Sequence, residues 1–239
     1  YGLTDQFTLG LISRFGYQRL SQGLSSSSAG VGDTTVQAQL QIAQWRAEQR
    51  LPTISLVLSE TLPTGRYDQL GERPGDGLGA GTYTTTLGLN SQRPFWLPTG
   101  RILRCRFNFA YSMAAPADIR DASVYGTGTG FRGQAQPGDT IEVTLGTEYS
   151  VARHWALAMD VNYLHGASNT LVGTYPQAPP LQPITVADKS SASSLLRLAP
   201  AIEYNWNSAV GIIAGVIVPV AGRNTSATFT PAIALNLAF

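Results

Sequence analysis

Apolar and polar side chains alternate along much of the chain, and this pattern restricts the fold more than any other feature of the sequence. In the C-terminal segment, Phe229, Ile233 and Leu235 fall on one face of an extended chain. Thr230 and Asn236 fall on the opposite face. Because successive side chains of a β-strand point to opposite faces, this alternation is typical of strands with one apolar and one polar face. We therefore predict an all-β protein.

The alternation recurs in about ten segments, most of which approach the ~9–11 residues that a tilted strand needs to cross a bilayer. It is weakest in the third, fourth and ninth of these segments. The predicted strands cover residues 7–18, 36–42, 54–58, 83–92, 103–113, 141–149, 155–163, 196–206, 209–220 and 229–239.

Charged residues are scarce, and those in the predicted strands lie singly on one face. They make up 13% of the chain, about half of the ~25% that is usual for soluble domains. No apolar run approaches the ~20 residues of a transmembrane helix. A soluble β-sandwich also alternates, but its solvent face would carry Lys and Glu freely. Aromatic residues also concentrate near strand ends, as they do at membrane interfaces. A membrane-spanning barrel is therefore favoured.

Short and long connections alternate between the predicted strands. The short ones are 46–50, 97–100, 152–154 and 207–208, and the long ones, rich in Gly, Ser and Pro, are 21–32, 60–81, 115–138 and 171–191. Bacterial barrels have short periplasmic turns and long extracellular loops. We predict a transmembrane up-and-down antiparallel β-barrel of about 10–12 strands in the bacterial outer membrane, as one domain over residues 1–239. Whether strands precede Tyr1 stays open.

Three short motifs carry a resemblance to a known family. They are Tyr-Gly-Leu-Thr-Asp at 1–5, Gly-Val-Gly-Asp at 30–33 and Leu-Pro-Thr-Gly at 62–65. The chain resembles the outer-membrane proteins grouped under the meta-pathway of phenol degradation. The resemblance implies a barrel of about a dozen strands that passes small organic compounds inward.

Two kinds of partner are predicted besides a small solute. An outer-membrane barrel contacts membrane lipids and lipopolysaccharide. A final strand of alternating apolar residues that ends in Phe239 resembles the signal by which the barrel-assembly machinery recognises its clients. A net charge of +1 gives no reason to expect a nucleic acid.

The polar faces of the predicted strands define the expected lumen. A charge there avoids the ~2–4 kcal/mol that an arginine costs at the lipid midplane. The balanced signs predict weak selectivity between anions and cations. The family resemblance implies a passive channel for small molecules, including hydrophobic or aromatic ones. The alternative is a sealed barrel, filled by paired charges, that anchors or contacts an envelope complex. The candidate lumen-lining residues are Arg14, Gln39, Arg104, Arg106, Asn108, Glu142, Glu148, Asp160, Arg197 and Glu203.

Catalytic chemistry has little support in the sequence. His165 precedes Ser168 in an arrangement that faintly resembles an outer-leaflet lipid hydrolase. Nucleophilic catalysis would also need a group that orients the imidazole, and no carboxylate is evident nearby. His154, His165 and Cys105 lie too far apart for a metal site. We predict that the chain is not an enzyme and has no metal or cofactor.

Overall fold

The computed structural model describes residues 2–20, 26–48, 51–178 and 181–237. Besides one 3-10 helical turn, Pro74–Asp76, the regular elements of the described residues are strands. The strands are β1 (Phe7–Ile12), β2 (Phe15–Leu20), β3 (Ser26–Val31), β4 (Thr34–Ala43), β5 (Thr53–Leu62), β6 (Thr84–Trp96), β7 (Ile102–Ala114), β8 (Ala117–Arg120), β9 (Arg132–Gln136), β10 (Thr140–Ser150), β11 (Trp155–Gly166), β12 (Thr170–Tyr175), β13 (Ile184–Lys189), β14 (Ser193–Asn205), β15 (Val210–Arg223) and β16 (Thr230–Leu237).

Ten strands form one sheet in the order β1-β4-β5-β6-β7-β10-β11-β14-β15-β16. Every neighbouring pair is antiparallel, so the sheet runs up and down in chain order. Each predicted segment corresponds to one of these strands, and the all-β prediction is confirmed. The described residues include no helix that is long and apolar enough to span a bilayer.

The first predicted strand is shorter than the sequence suggested. The structure divides it into β1, which pairs with β4, and β2, which pairs with β3 in a separate hairpin. The division falls at Ser13 and Arg14, where the carbonyl oxygen of Arg14 accepts a hydrogen bond of 2.7 Å from the amide of Gly32. Apolar and polar residues still alternate across this point, because alternation depends only on the two-residue period of an extended chain. It does not show which strand is the hydrogen-bonding partner.

The two faces of the ten-stranded sheet differ in chemistry. We call the face that carries the large apolar side chains the outer face. Along β11, Leu157 and Met159 on this face are 48% and 39% exposed. Ala156 and Asn162 on the opposite, inner face are only 6% and 9% exposed. A continuous exposed apolar surface is expected of a protein that meets lipid rather than water.

The long links fold into structure of their own at the extracellular end. A second sheet has the strand order β13-β12-β9-β8, and β2 and β3 form a hairpin. The second sheet buries a small core around Phe131, which is fully buried and packs edge-on against Tyr175 at 5.3 Å between ring centroids. The core also contains Ala117, Ile119 and Ala135. The extracellular end is therefore a packed unit and not a set of loose loops.

Two of the sequence motifs meet at this end. Asp33, from Gly-Val-Gly-Asp, accepts hydrogen bonds from the amides of Gly65 at 2.9 Å and Ala80 at 2.7 Å. The Thr64 hydroxyl donates to the carbonyl oxygen of Gly32 at 3.0 Å. One carboxylate thus ties together the two ends of the link between β5 and β6. We call this link, residues 63–83, the second extracellular link.

The short turns at the periplasmic end carry aromatic side chains. The ring of Tyr204 lies 4.7 Å from that of Trp155 and 5.2 Å from that of Trp206. His154 makes a hydrogen bond of 2.7 Å through Nδ1 with the carbonyl oxygen of Asn205. Trp155 and Trp206 are half-exposed, as expected for rings in a membrane–water interface.

Candidate functional site: the inner face of the ten-stranded sheet

The strand register aligns the inner-face side chains in rows across the sheet. Residues directly opposite each other in neighbouring strands point to the same face and contact each other. One row is polar over seven consecutive strands of the sheet, from β4 to β14. Its members are Gln41, Ser55, Asn90, Asn108, Thr144, Asn162 and Arg197.

Asn162 is the centre of a hydrogen-bonded network at the end of this row. Its side-chain nitrogen donates to Glu142 Oε1 at 2.6 Å and to Thr144 Oγ1 at 2.7 Å. Its oxygen accepts from Arg197 Nε at 2.9 Å, and Arg197 Nη2 lies 3.3 Å from Glu142 Oε1. A buried amide that uses both its donor and its acceptor is held in one orientation. The network therefore fixes the positions of Arg197 and Glu142.

A second ion pair crosses an intervening strand. Arg106 on β7 and Asp160 on β11 are both opposite Gly146 on β10. Arg106 Nη2 lies 3.0 Å from Asp160 Oδ1. A Cβ atom at Gly146 would lie 2.5 Å from Asp160 Oδ1 and 3.1 Å from Arg106 Nε. The pair can form because position 146 carries no side chain.

A third ion pair joins direct neighbours nearer the periplasmic end. Arg104 and Glu148 are opposite each other, with Arg104 Nη1 3.4 Å from Glu148 Oε2. The Arg104 side chain is 48% exposed, so water screens this pair and its net stabilisation is about 0.2–1 kcal/mol. Glu203, nearer the periplasmic end of β14, accepts a hydrogen bond of 3.0 Å from Asn205 Nδ2.

The predicted lumen residues fall into two groups. Nine of the ten, all except Arg14, belong to strands of the ten-stranded sheet and occupy inner-face positions. Arg14 is exposed and lies in the connection between β1 and β2, outside that sheet.

Open space remains in front of the polar part of the inner face. One cavity of about 310 Å³ is bordered by Gln37, Asn108 and Glu142. A second, of about 260 Å³, is bordered by Gln39, Asn108 and Arg106. Because Asn108 borders both, the two spaces adjoin along the sheet. Most of their lining side chains are amides or hydroxyls, which suits a path for water and small polar groups.

Part of the inner face is apolar where β14, β15 and β16 lie side by side, a feature that the sequence pattern did not predict. A cavity of about 140 Å³ lies there. We call this space the apolar furrow; it is lined mainly by Ala158, Ala199, Ala201, Ile213, Ile217 and Ala234, with Arg106 and Asp160 at its border. Sequence alternation could not show it, because β15 carries apolar residues on both faces.

The residues considered for catalysis are not assembled. His165 is opposite Ile141 and Ser194, at the extracellular end of β11. Within the described ranges, no hydrogen bond joins His165 to Ser168. The part of the chain that the structure describes also contains no cluster of three or more His, Cys, Asp or Glu side chains that could hold a metal ion.

Ten antiparallel strands with an apolar outer face, a polar inner face, short turns at one end and long links at the other define an outer-membrane β-barrel. The predicted fold class is thereby confirmed. The chain belongs to the family described as "Putative MetA-pathway of phenol degradation", which matches residues 1–230. The resemblance inferred from the three short motifs is confirmed as well.

Comparison with solved structures supports the same fold. The chain is similar to the COG4313 outer membrane channel from Pseudomonas putida F1, with a TM-score of 0.63 and 16% sequence identity. The similarity covers 99% of this chain and 77% of that channel. No curated protein sequence is similar to the chain.

Proposed function

We propose that the chain is a passive outer-membrane channel for small molecules and has no enzymatic activity. The observation that carries the proposal is the pair of adjoining polar cavities, about 310 and 260 Å³, in front of the inner face. A barrel filled by its own side chains would leave no such space. Membership of a family associated with phenol degradation, and similarity to an outer membrane channel, support the same function.

Charge on the inner face supports weak ion selectivity. Arg104, Arg106 and Arg197 each pair with a carboxylate. Paired charges of opposite sign largely cancel at a distance, so neither anions nor cations are strongly attracted. The nine inner-face candidates are therefore proposed as the residues that set conductance and the remaining selectivity.

The proposed solutes are small organic molecules, including hydrophobic and aromatic ones. The reference to phenol degradation in the family description supports this class. Lipopolysaccharide around the outer face and the barrel-assembly machinery at the C-terminal strand are proposed as partners. Phe239, on which the second of these depends, lies outside the described residues.

Conductance across a planar lipid bilayer tests the proposal directly. We expect discrete current steps from the purified, folded chain. Arg104→Glu should increase the permeability of cations relative to anions, because it places a second carboxylate opposite Glu148. Arg153→Glu makes the same charge change at an exposed turn residue and should leave the permeability ratio unchanged.

A sealed structural barrel is the alternative that this experiment distinguishes. The three ion pairs on one wall and the packed extracellular sheet favour it. Folding can be checked by heat-modifiable migration on a gel. A folded chain that gives no current steps would overturn the channel and favour a barrel that contacts an envelope partner.

A further inference from the structure

The apolar furrow is the least expected part of the inner face. In the middle of the sheet, Ala158, Ala201 and Gly215 are opposite one another on β11, β14 and β15. Ile213 and Ile217 flank Gly215 on the same face of β15. Small side chains in the middle and larger ones at the sides leave a depression in the wall.

The volume of the furrow sets the size of a ligand. Its cavity measures about 140 Å³. An enclosed apolar cavity of about 150 Å³ in another protein binds benzene, and the furrow, although open on one side, offers a similar space. A single six-membered ring therefore fits, whereas fused rings or long acyl chains would extend beyond it.

The polar border of the furrow sets the chemistry of the ligand. Arg106 and Asp160 border it, and they are the partners of one ion pair. The guanidinium group can donate a hydrogen bond to a ligand oxygen, and the carboxylate can accept one from a ligand hydroxyl. Because Asp160 already neutralises Arg106, an anionic ligand would gain little from the arginine and would be repelled by the aspartate.

We infer that the apolar furrow is a binding subsite for a small ring compound with one neutral hydroxyl group, whose ring lies on Ala201 and Ile213 and whose hydroxyl reaches Arg106 and Asp160. The inference rests on the proposed function, since it specifies which solute the inner face binds. Ring compounds with a carboxylate in place of the hydroxyl bind the subsite more weakly.

Binding can be measured without measuring transport. Fluorine NMR of 4-fluorophenol, with the full chain in lipid nanodiscs and empty nanodiscs as background, reports binding by line broadening. Ala201→Leu fills the furrow and should weaken binding at least tenfold. Ala110→Leu is the matched control, because Ala110 also lies on the inner face but borders the larger polar cavity. It should bind 4-fluorophenol as the unchanged chain does.

The role of the polar border is tested by removing the charge of Asp160. In the unchanged chain, 4-fluorobenzoate should bind at least tenfold more weakly than 4-fluorophenol. Asp160→Asn keeps a hydrogen-bonding side chain but frees the charge of Arg106, so it should strengthen 4-fluorobenzoate binding and reverse or abolish this preference. Equal binding to the unchanged chain and the Ala201→Leu variant, or a preference that Asp160→Asn leaves unaltered, would overturn the inference.

Failure of the subsite and failure of the channel give different results. Saturable binding that Ala201→Leu abolishes, in a chain without current steps, would support the subsite and overturn the channel. Current steps without saturable binding of 4-fluorophenol would support the channel and overturn the subsite.

Discussion

Replacing Met159 by arginine tests which face of the sheet meets lipid. Met159 lies near the middle of β11 and is 39% exposed on the outer face. Its neighbour Ala158 lies on the inner face, where it borders the apolar furrow. The two positions lie at almost the same depth in the membrane. Arginine substitutions at these positions therefore differ mainly in whether the charge lies on the outer or the inner face.

The expected cost follows from the environment of each position. An arginine on the lipid face near the midplane costs ~2–4 kcal/mol in a barrel. Each 1.4 kcal/mol is a factor of ten in an equilibrium constant, so Met159→Arg should lower the ratio of folded to unfolded chain by about 30- to 700-fold. Ala158→Arg places the charge on the inner face, opposite Glu148, where it avoids the cost of the lipid face, so we expect a smaller destabilisation than at position 159.

Urea unfolding in lipid vesicles, followed by tryptophan fluorescence, measures both effects; the chain has 4 tryptophans. Met159→Ala is the control for the lost apolar side chain, and its cost is subtracted from that of the arginine. The assignment of the two faces would be refuted by equal destabilisation at 158 and 159, or by a larger cost at 158.

Three further predictions concern contacts that only the folded chain makes. Gly146→Val should separate Arg106 from Asp160, because a Cβ atom there would lie 2.5 Å from Asp160 Oδ1; altered ion permeability in planar bilayers checks this. Asp33→Ala removes the acceptor of two amide hydrogen bonds, at about 1–3 kcal/mol for each donor left unpaired, and limited proteolysis should cut the second extracellular link faster. Burial raises the pKa of Tyr125 from 10.0 to about 12, so the contribution of Tyr125 to stability is complete below pH 10 and is lost as the pH rises through 12. An absorbance titration checks this, because the Tyr125→Phe variant should lack one tyrosine ionisation near pH 12.

Contacts at the extracellular end account for the residue types in two of the three short motifs. The carboxylate of Asp33 and the backbone at Gly65 form one junction. A Cβ atom at Gly65 would lie 2.7 Å from the Cα atom of Gly79, so the two chain segments could not approach as they do. A glycine is required at such close approaches of backbone to backbone. These motifs therefore shape the entrance side of the barrel and not its inner face.

The inner face shows where prediction from sequence stops. Gln39 and Asn108 could be assigned to this face because their strands alternate strongly. Arg14 follows the same alternation, but β1 ends at Ile12, and Arg14 lies in the connection to β2, outside the ten-stranded sheet. Ile213 and Ile217 could not be assigned, because β15 is apolar on both faces and has no alternation to follow.

Alternation in the sequence was enough to locate the ten strands of the main sheet, apart from the end of β1, and to orient most side chains, since a period of two is a local property of each strand. The tertiary structure alone decided which side chains meet. Arg106 and Asp160 are separated by 54 residues, and they pair only because the register places both opposite Gly146. Register depends on how each strand aligns with its neighbours, and a shift between strands moves every contact while it leaves the sequence pattern unchanged.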